Sequence, residues 1–377
     1  MIADHARLPA WDAAASSEHT APPRTRLTRM TPPTPHRATM KDVAALAGVS
    51  PKTVSNVVTG AFTVSEEKRD KVERAMRQLD FVPNLSARGM RTGRSGTIAV
   101  ALPDLATAYS AELVHSLVAA AHQRGLAVQF EETALSPERE GELLARARTR
   151  QVDGLILNPV RLEDSAIPLA DDLPPLVVIG EVEQSRADHV GIDSRLAAAD
   201  ATRHVIAQGA RRIAVIGGAT GQSTATATSR LRLQGVHDAL QEAGIPRDPA
   251  LEADRLPWSM VSGADAMQEL LDRRVAFDAV VAFTDSLAFG ALHTLAARGI
   301  RVPDDVLLTG FDDVELSAFT TPSLTTIAFD RDALASAALS LLTARMDDRA
   351  MPPRAVTLPH RLHPRGSTAG SPGGYCP

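Results

Sequence analysis

The sequence predicts an α/β protein, with an N-terminal all-α helix-turn-helix headpiece ahead of a larger region of parallel sheets flanked by helices. Three observations carry this expectation. Residues 39–58, TMKDVAALAGVSPKTVSNVV, show two short helical periods separated by Gly48-Val49-Ser50. From residue 97 onward, short apolar runs alternate with amphipathic stretches, the pattern of parallel strands covered by helices on both faces. The chain has 377 residues, 44% of them hydrophobic, which suits two or three domains and a large core.

Residues 1–37 are rich in Ala, Thr, Pro and Arg, lack periodicity and read as a disordered tail. The headpiece, residues 38–83, follows. Thr39 is a fitting N-cap, with Asp42 three residues on in a near-capping box. Val43, Leu46 and Ala47 recur at helical spacing, and Gly48 stops the helix. Ser50 caps a second helix whose first position is Pro51, where no backbone donor is required. Val54, Val57 and Val58 face inward, leaving Lys52, Thr53, Ser55 and Asn56 on the outer face. A helix-turn-helix uses such a face to reach base edges. Ser65 opens a third helix over Glu66–Leu79, with Val72, Ala75, Met76 and Leu79 on one side.

The net charge of −5 does not announce a nucleic-acid partner, but its distribution does. All four lysines lie in the headpiece, and residues 38–96 hold ten Lys/Arg against six Asp/Glu, a balance of +4. Charge alone favours a solvated helical surface; charge beside a base-reading helix favours a phosphate footprint. Cys376 is the only cysteine, which excludes an intrachain disulfide or thiolate metal cage and fits a reducing compartment. No apolar run reaches membrane-spanning length, and no secretory segment stands at the N-terminus. The expectation is a cytoplasmic, nucleoid-associated protein without cofactor or metal.

In the larger region, Thr97–Pro103 reads as a buried strand and Ser110–Arg124 as the helix after it. Further strands fall at Leu126–Glu131, Gly154–Asn158 and Leu176–Gly180. A second series runs through Arg212–Gly217, Ala279–Thr284 and Val306–Phe311.

The headpiece resembles the DNA-binding domain of the lactose/galactose-repressor family of bacterial transcription regulators. The residues that carry the likeness include Asp42-Val43-Ala44, Ala47-Gly48-Val49-Ser50, Thr53-Val54-Ser55 and Phe81-Val82-Pro83-Asn84 with Ala87-Arg88. In the later region they include Gly191-Ile192-Asp193, Arg230, Gly235, Asp285, Gly310-Phe311-Asp312-Asp313 and Pro322-Ser323-Leu324-Thr325-Thr326-Ile327. The resemblance implies two Rossmann-like lobes of periplasmic-binding-protein type, joined by three crossings. Lobe one is placed at 97–192 plus 328–357 and lobe two at 193–327, with 358–377 a C-terminal segment ending flexibly. Residues 84–96 become a hinge linker that folds on operator DNA, where Met90 takes the place of a minor-groove wedge. Gly89 lowers helix propensity there by ~1 kcal/mol relative to alanine.

The family likeness also assigns a ligand cleft between the lobes. Arg230 and Asp312 match residues that reach sugar oxygens, and Trp258 an aromatic that stacks on the ligand; the plainer readings are a structural Arg–Asp pair and a core tryptophan. Thr284 stands where the family commonly has asparagine, beside Asp285, and a hydroxyl cannot make an amide's bidentate contact. Phe329 replaces a frequently polar position. Asp104, Tyr109, Asn158 and Arg161 are candidates at strand ends of lobe one. Towards DNA, Lys52 suits guanine, Asn56 suits adenine, and Pro51 offers apolar contact only. Ser50, Thr53 and Ser55 suit phosphates, Thr39 is a further DNA-binding candidate, and Asn84, Ala87, Arg88 and Met90 belong to the linker.

The function expected is a homodimeric repressor on near-palindromic operator DNA, controlled by a small-molecule effector, a sugar in the first reading. Two alternatives stay open: a sugar-binding protein of periplasmic type without DNA binding, and a regulator answering a nucleoside or other non-sugar effector. An enzyme is disfavoured, because no phosphate-binding loop, nucleophile elbow or zinc-spaced His/Cys set is found.

Overall fold

A computed structural model describes residues 38–58, 64–81, 94–149, 151–159, 167, 172–180, 186–218 and 226–369. The chain divides into two compact units, 1–83 and 84–377.

Among the described residues the first unit has three helices: α1 (Met40–Ala47), α2 (Pro51–Val58) and α3 (Glu66–Gln78). Thr39 caps α1 in a complete capping box: its hydroxyl accepts from the Asp42 amide, and the Asp42 carboxylate accepts from the Thr39 amide at 2.8 Å. Gly48, at φ 66°, ends α1 in the left-handed conformation that only glycine adopts freely. The Val49 amide then reaches back to the Ala44 carbonyl at 3.0 Å, a Schellman closure. Val49 thereby joins a core built on Val43, Ala44, Val54, Val72 and Ala75. Ser65 stands at the N-cap of α3, but its side chain makes no capping bond.

Among the described residues the second unit contains two six-stranded sheets. The first is built from β1 (Thr97–Leu102), β2 (Ala127–Glu132), β3 (Gly154–Leu157), β4 (Leu176–Ile179), β5 (Asp188–Ile192) and β11 (Ala355–Leu358), in the order β11-β5-β4-β3-β1-β2 and parallel throughout. Residues alternate between its two faces, as a pleated strand dictates. Ile98, Val100 and Leu102 pack under α4 (Ala108–His122) and α10 (Arg331–Asp347), whereas Ala99 and Ala101 pack with α5 (Pro137–Arg148). Both faces of β1, β3 and β4 are covered, so these strands read as continuous apolar runs.

The second sheet is built from β6 (Ile213–Ile216), β7 (Glu252–Ala253), β8 (Ala279–Ala282), β9 (Leu307–Phe311), β10 (Thr325–Phe329) and β12 (His360–His363), in the order β12-β10-β9-β8-β6-β7. All neighbours are parallel except β12, which runs antiparallel to β10. Its helices are α6 (Ser194–Ala207), α7 (Ala227–Glu242), α8 (Met260–Asp272) and α9 (Asp285–Ala297). A Cβ on Gly290 would lie 2.0 Å from the Met260 carbonyl oxygen, and one on Gly263 2.2 Å from that of Leu287. Glycine is what lets α8 and α9 touch backbone to backbone.

The chain crosses between lobes after β5, after β10 and after β11. Two boundaries differ from the sequence reading. Ala328 and Phe329 belong to the second sheet, because they pair with Arg361 and His360 of β12. Residues 360–368, placed outside both lobes by sequence, complete lobe two: β12 edges its sheet, and Ser367 donates to the Leu308 carbonyl at 2.6 Å. A small apolar cluster of Ile192, Ala197, Ala201, Phe311 and Ile327 fills the crossing region. Among the described residues no helix is long and apolar enough to cross a membrane, and no group of three or more His, Cys, Asp or Glu is placed to hold a metal ion.

Candidate functional sites

The first site is the outer face of α2. Ser50 is occupied as a cap: its oxygen accepts from the Thr53 amide at 3.1 Å and lies 2.9 Å from the Thr53 hydroxyl. Pro51 and Lys52 are exposed, and Thr53, Ser55 and Asn56 are half-buried, while Val54 is wholly buried. The helix therefore presents one cation, one amide and small hydroxyls on the side opposite its core. Thr39 is exposed, with its hydroxyl committed to Asp42 at 2.7 Å. The linker candidates Asn84, Ala87, Arg88 and Met90 lie outside the described residues, as does Arg161 of lobe one.

The second site is a cavity of about 160 Å³ between the two lobes. It lies where the strand order reverses in each sheet, at the carboxyl ends of β1 and β3 on one side and of β6, β8 and β9 on the other, the position open parallel sheets reserve for ligands. Lobe one contributes Asp104, Tyr109, Asn158 and an apolar wall that includes Ile179 and Leu334. Lobe two contributes Thr226, Thr228, Arg232, Trp258, Thr284, Ser286 and Asp312, and Phe329 comes from the last residue of β10. Tyr109 and Phe329 meet edge to face at 6.2 Å. Of the positions chosen from sequence, Asp104, Tyr109, Asn158, Trp258, Thr284, Asp312 and Phe329 line this space together.

Arg230 and Asp285 do not. Helix α7 buries Arg232, Leu233, Val236, Ala239 and Leu240. Residues two apart on a helix point about 200° apart, so Arg232 turns inward and Arg230 turns away from the cavity. The Arg232 guanidinium lies 3.4 Å from the centroid of the Phe311 ring and 5.6 Å from that of Trp258. Its Nε donates to the Ser194 hydroxyl at 3.1 Å and its Nη1 to the Phe283 carbonyl. Five N–H donors minus these two leave others for a ligand. Arg232 was legible in sequence, since it shares helical register with Val236 and Leu240, whereas Arg230 shares it with exposed Gln234.

Asp285 is completely buried behind the wall. Its carboxylate accepts from the Val314 amide at 2.9 Å, the Ser317 hydroxyl at 2.8 Å and the Thr326 hydroxyl at 2.6 Å. It thus pins the loop that follows Asp312 rather than touching ligand. Burial pushes its pKa up to about 6, against the pull of those hydrogen bonds. Thr284 caps α9, accepting from the Leu287 amide at 3.2 Å; its hydroxyl hydrogen is the part that can serve a ligand. Asp104 closes a short turn by accepting from Ala106 at 2.7 Å, while Thr107 caps α4. Asp312 sits at φ 115° and Asp313 at φ 53°, a left-handed pair that turns the chain sharply at the cavity wall. Trp258 Nε1 is buried without a hydrogen-bond partner among the described residues.

Two family descriptions match the chain: bacterial regulatory proteins of the lacI family over residues 39–84, and a periplasmic binding protein-like domain over residues 202–368. The HTH-type transcriptional repressor CytR of Escherichia coli (strain K12) is 34% identical over 337 residues, 89% of this chain and 97% of that protein. The transcriptional regulator CelR in complex with cellobiose is 31% identical with a TM-score of 0.64, covering 88% of this chain and 100% of that one. The lac repressor dimer bound to operator and the anti-inducer ONPF is 29% identical with a TM-score of 0.76, covering 88% of this chain and 99% of that one. With the helix-turn-helix, the paired lobes and the cleft all in place, the chain belongs to the lacI family of bacterial regulatory proteins.

Proposed function

We propose that this chain is a cytoplasmic repressor of carbohydrate genes, acting as a homodimer on near-palindromic operator DNA and set by a sugar in the inter-lobe cleft. It works by binding alone, without catalysis. The observation that carries this reading is the convergence of Arg232, Asp312, Thr284 and Trp258 on one cavity in a chain that also bears an exposed Lys52–Asn56 face. A sugar presents hydroxyls to charged groups and a C–H face to an aromatic ring, which is what these side chains offer. Lobe two also exposes Met260, Val261 and Phe319, apolar side chains suited to a subunit contact. The DNA contacts assigned to Asn84, Ala87, Arg88 and Met90 belong to the same proposal. The relative solved in complex with cellobiose supports a sugar, and the one crystallised on operator as a dimer supports the assembly.

A nucleoside is the second reading. The Tyr109–Phe329 pair and Trp258 line the same cavity and offer aromatic faces on which a flat base can stack.

Selection of bound duplexes from a random library, followed by gel shift with and without a panel of sugars and nucleosides, tests both parts. The expected result is an enriched inverted repeat whose binding one class of ligand changes. No enrichment over random DNA, or no ligand response, refutes the corresponding half. Lys52→Ala and Asn56→Ala should each relax one base pair per half-site by ~1–3 kcal/mol; equal weakening on operator and random DNA would reduce them to backbone contacts.

A further inference from the structure

One helix of lobe one touches the cleft at one end and the base of the DNA-ward linker at the other. At the start of α10, the Arg331 guanidinium donates to the backbone carbonyls of Asp312 and of Asp313, the latter at 3.0 Å, and pairs with Glu112 at 2.6 Å. The Glu112 carboxylate also accepts from the Glu315 amide at 2.8 Å. Arg331 and Glu112 therefore grip the backbone on both sides of the turn that carries Asp312 into the cavity. At the far end of α10, Arg94 donates to the Met346 carbonyl at 2.7 Å and to the Asp347 carboxylate at 2.9 Å. The next two residues, Ser95 and Gly96, donate their amides to the Asp153 carboxylate at 2.6 Å each.

Helix α10 is built to carry displacement. Its 17 residues span ~25 Å at the α-helical rise. It lies hard against β3, since a Cβ on Gly154, the neighbour of Asp153, would be 2.8 Å from Leu342 Cδ1. Its last turn is locked by Arg345, which forms a two-pronged pair with buried Asp188 at 2.9 and 3.1 Å and caps the carbonyls of Arg349, Met351 and Pro352. A close-packed helix fixed at both ends shifts as a unit, because packed interiors have two arrangements rather than a continuum.

We infer that α10 couples the cleft to the linker, with Arg331 as the residue that reads the position of the Asp312–Asp313 backbone and Arg94 as the one that passes it to the chain leaving the lobes. The inference gives the proposed effector control its mechanical route, and so rests on that reading, but its test requires no effector. Coupling between two sites is reciprocal. Disturbing either end must therefore be felt at the other.

The experiment is hydrogen–deuterium exchange on the full-length protein, resolved to single amides, comparing the unaltered chain with Arg331→Met, Arg331→Lys, Arg94→Gln and Arg301→Met. Arg301 pairs locally with Asp304 and Asp305 and serves as control. Arg331→Met should speed exchange at Ser95 and Gly96 about fivefold, the low end of ordinary site-to-site coupling. Arg94→Gln should do the same at Asp313, Val314 and Glu315. Arg331→Lys keeps the charge towards Glu112 but loses the fork across two carbonyls, and should restore only part of the protection. Changes confined to the mutated end overturn the inference, as does uniform acceleration through lobe one. If Arg331→Met does not fold, Arg94→Gln alone decides. A reciprocal pattern in a protein that answers no sugar would sink the sugar reading and leave the coupling standing.

Discussion

Arg230 and Arg232 stand two residues apart on one helix, and their alanine variants should behave unlike each other. Removing Arg232 deprives the Phe283 carbonyl and the Ser194 hydroxyl of a donor and empties the space over the Phe311 ring. A buried acceptor left unmatched costs ~1–3 kcal/mol, and a desolvated cation–ring contact adds ~1–2 kcal/mol. Relief of burying a cation offsets part of this, so Arg232→Ala should destabilise the lobes by roughly 3 kcal/mol. For a unit of this size that lowers the melting temperature by roughly 6–12 °C. A charge-assisted hydrogen bond to a ligand is worth ~1.5–3 kcal/mol, so the cleft ligand should bind about 10- to 150-fold more weakly. Arg230→Ala should change ligand affinity less than about threefold, because the side chain does not line the cavity. The assay is titration calorimetry with the first compound that raises the melting temperature of the unaltered protein, run on each variant well below its own transition. Equal losses from the two variants, or a larger loss from Arg230→Ala, would refute the placement of Arg232 as the ligand-facing arginine.

Two further outcomes follow from buried groups in lobe two. Burial raises Asp285 from the ordinary 3.8 to about 6, so the folded state keeps its proton where the unfolded chain has lost it. The associated stability is complete below the unfolded value and is lost as pH rises through the folded one, a loss of about 3 kcal/mol between ~pH 4 and ~pH 6. Urea unfolding across that range should show the unaltered protein losing stability relative to Asp285→Asn by up to that amount; a constant difference would contradict it. Gly290→Ala gains ~1 kcal/mol of helix propensity but drives a methyl to 2.0 Å from the Met260 carbonyl. Separating α8 from α9 costs ~1–3 kcal/mol or more, so the melting temperature should fall, and a rise would mean the helices do not touch there.

How much was legible in the sequence follows the range of the forces involved. The headpiece is fixed by neighbours: Thr39 with Asp42, Gly48 with Ala44 and Val49, Ser50 with Thr53. Caps and left-handed glycines act within a few residues, so letters close in the chain are enough. The cleft depends on which way helices turn after they pack. Arg230 against Arg232 is a question of register, and the buried face of α7 answers it. The family likeness makes Asp285 an effector-site candidate beside Thr284, yet one step along a helix start rotates a side chain by about 100°, and Asp285 points at the Val314–Ser317 turn instead. The antiparallel return of β12 was missed for another reason. Four residues, HRLH, carry almost no apolar pattern, and only pairing with β10 makes them a strand.

The same residues that shape the cleft also shape the crossing between lobes, and magnitudes decide what this permits. Phe311 supports Arg232 on one face and belongs with Ile192 and Ile327 to the apolar cluster of the crossing region. Asp312 follows it directly, and its carbonyl is held by Arg331. On the proposed reading, Asp312 therefore cannot follow a ligand without loading the crossing region. The polar strap across the lobes is a set of hydrogen bonds to charged groups: Arg331 of lobe one to the Asp312 and Asp313 carbonyls, and the Glu315 amide to Glu112 of lobe one. Such a bond contributes ~1.5–3 kcal/mol. A ligand that binds one arrangement of the lobes supplies ~2.7 kcal/mol at a hundredfold excess over its Kd. The two are of the same order, so the strap favours one arrangement at rest and a ligand that replaces part of it can shift the lobes. A strap of several buried ion pairs would instead have demanded a ligand of far higher affinity, or would have fixed the lobes in one state.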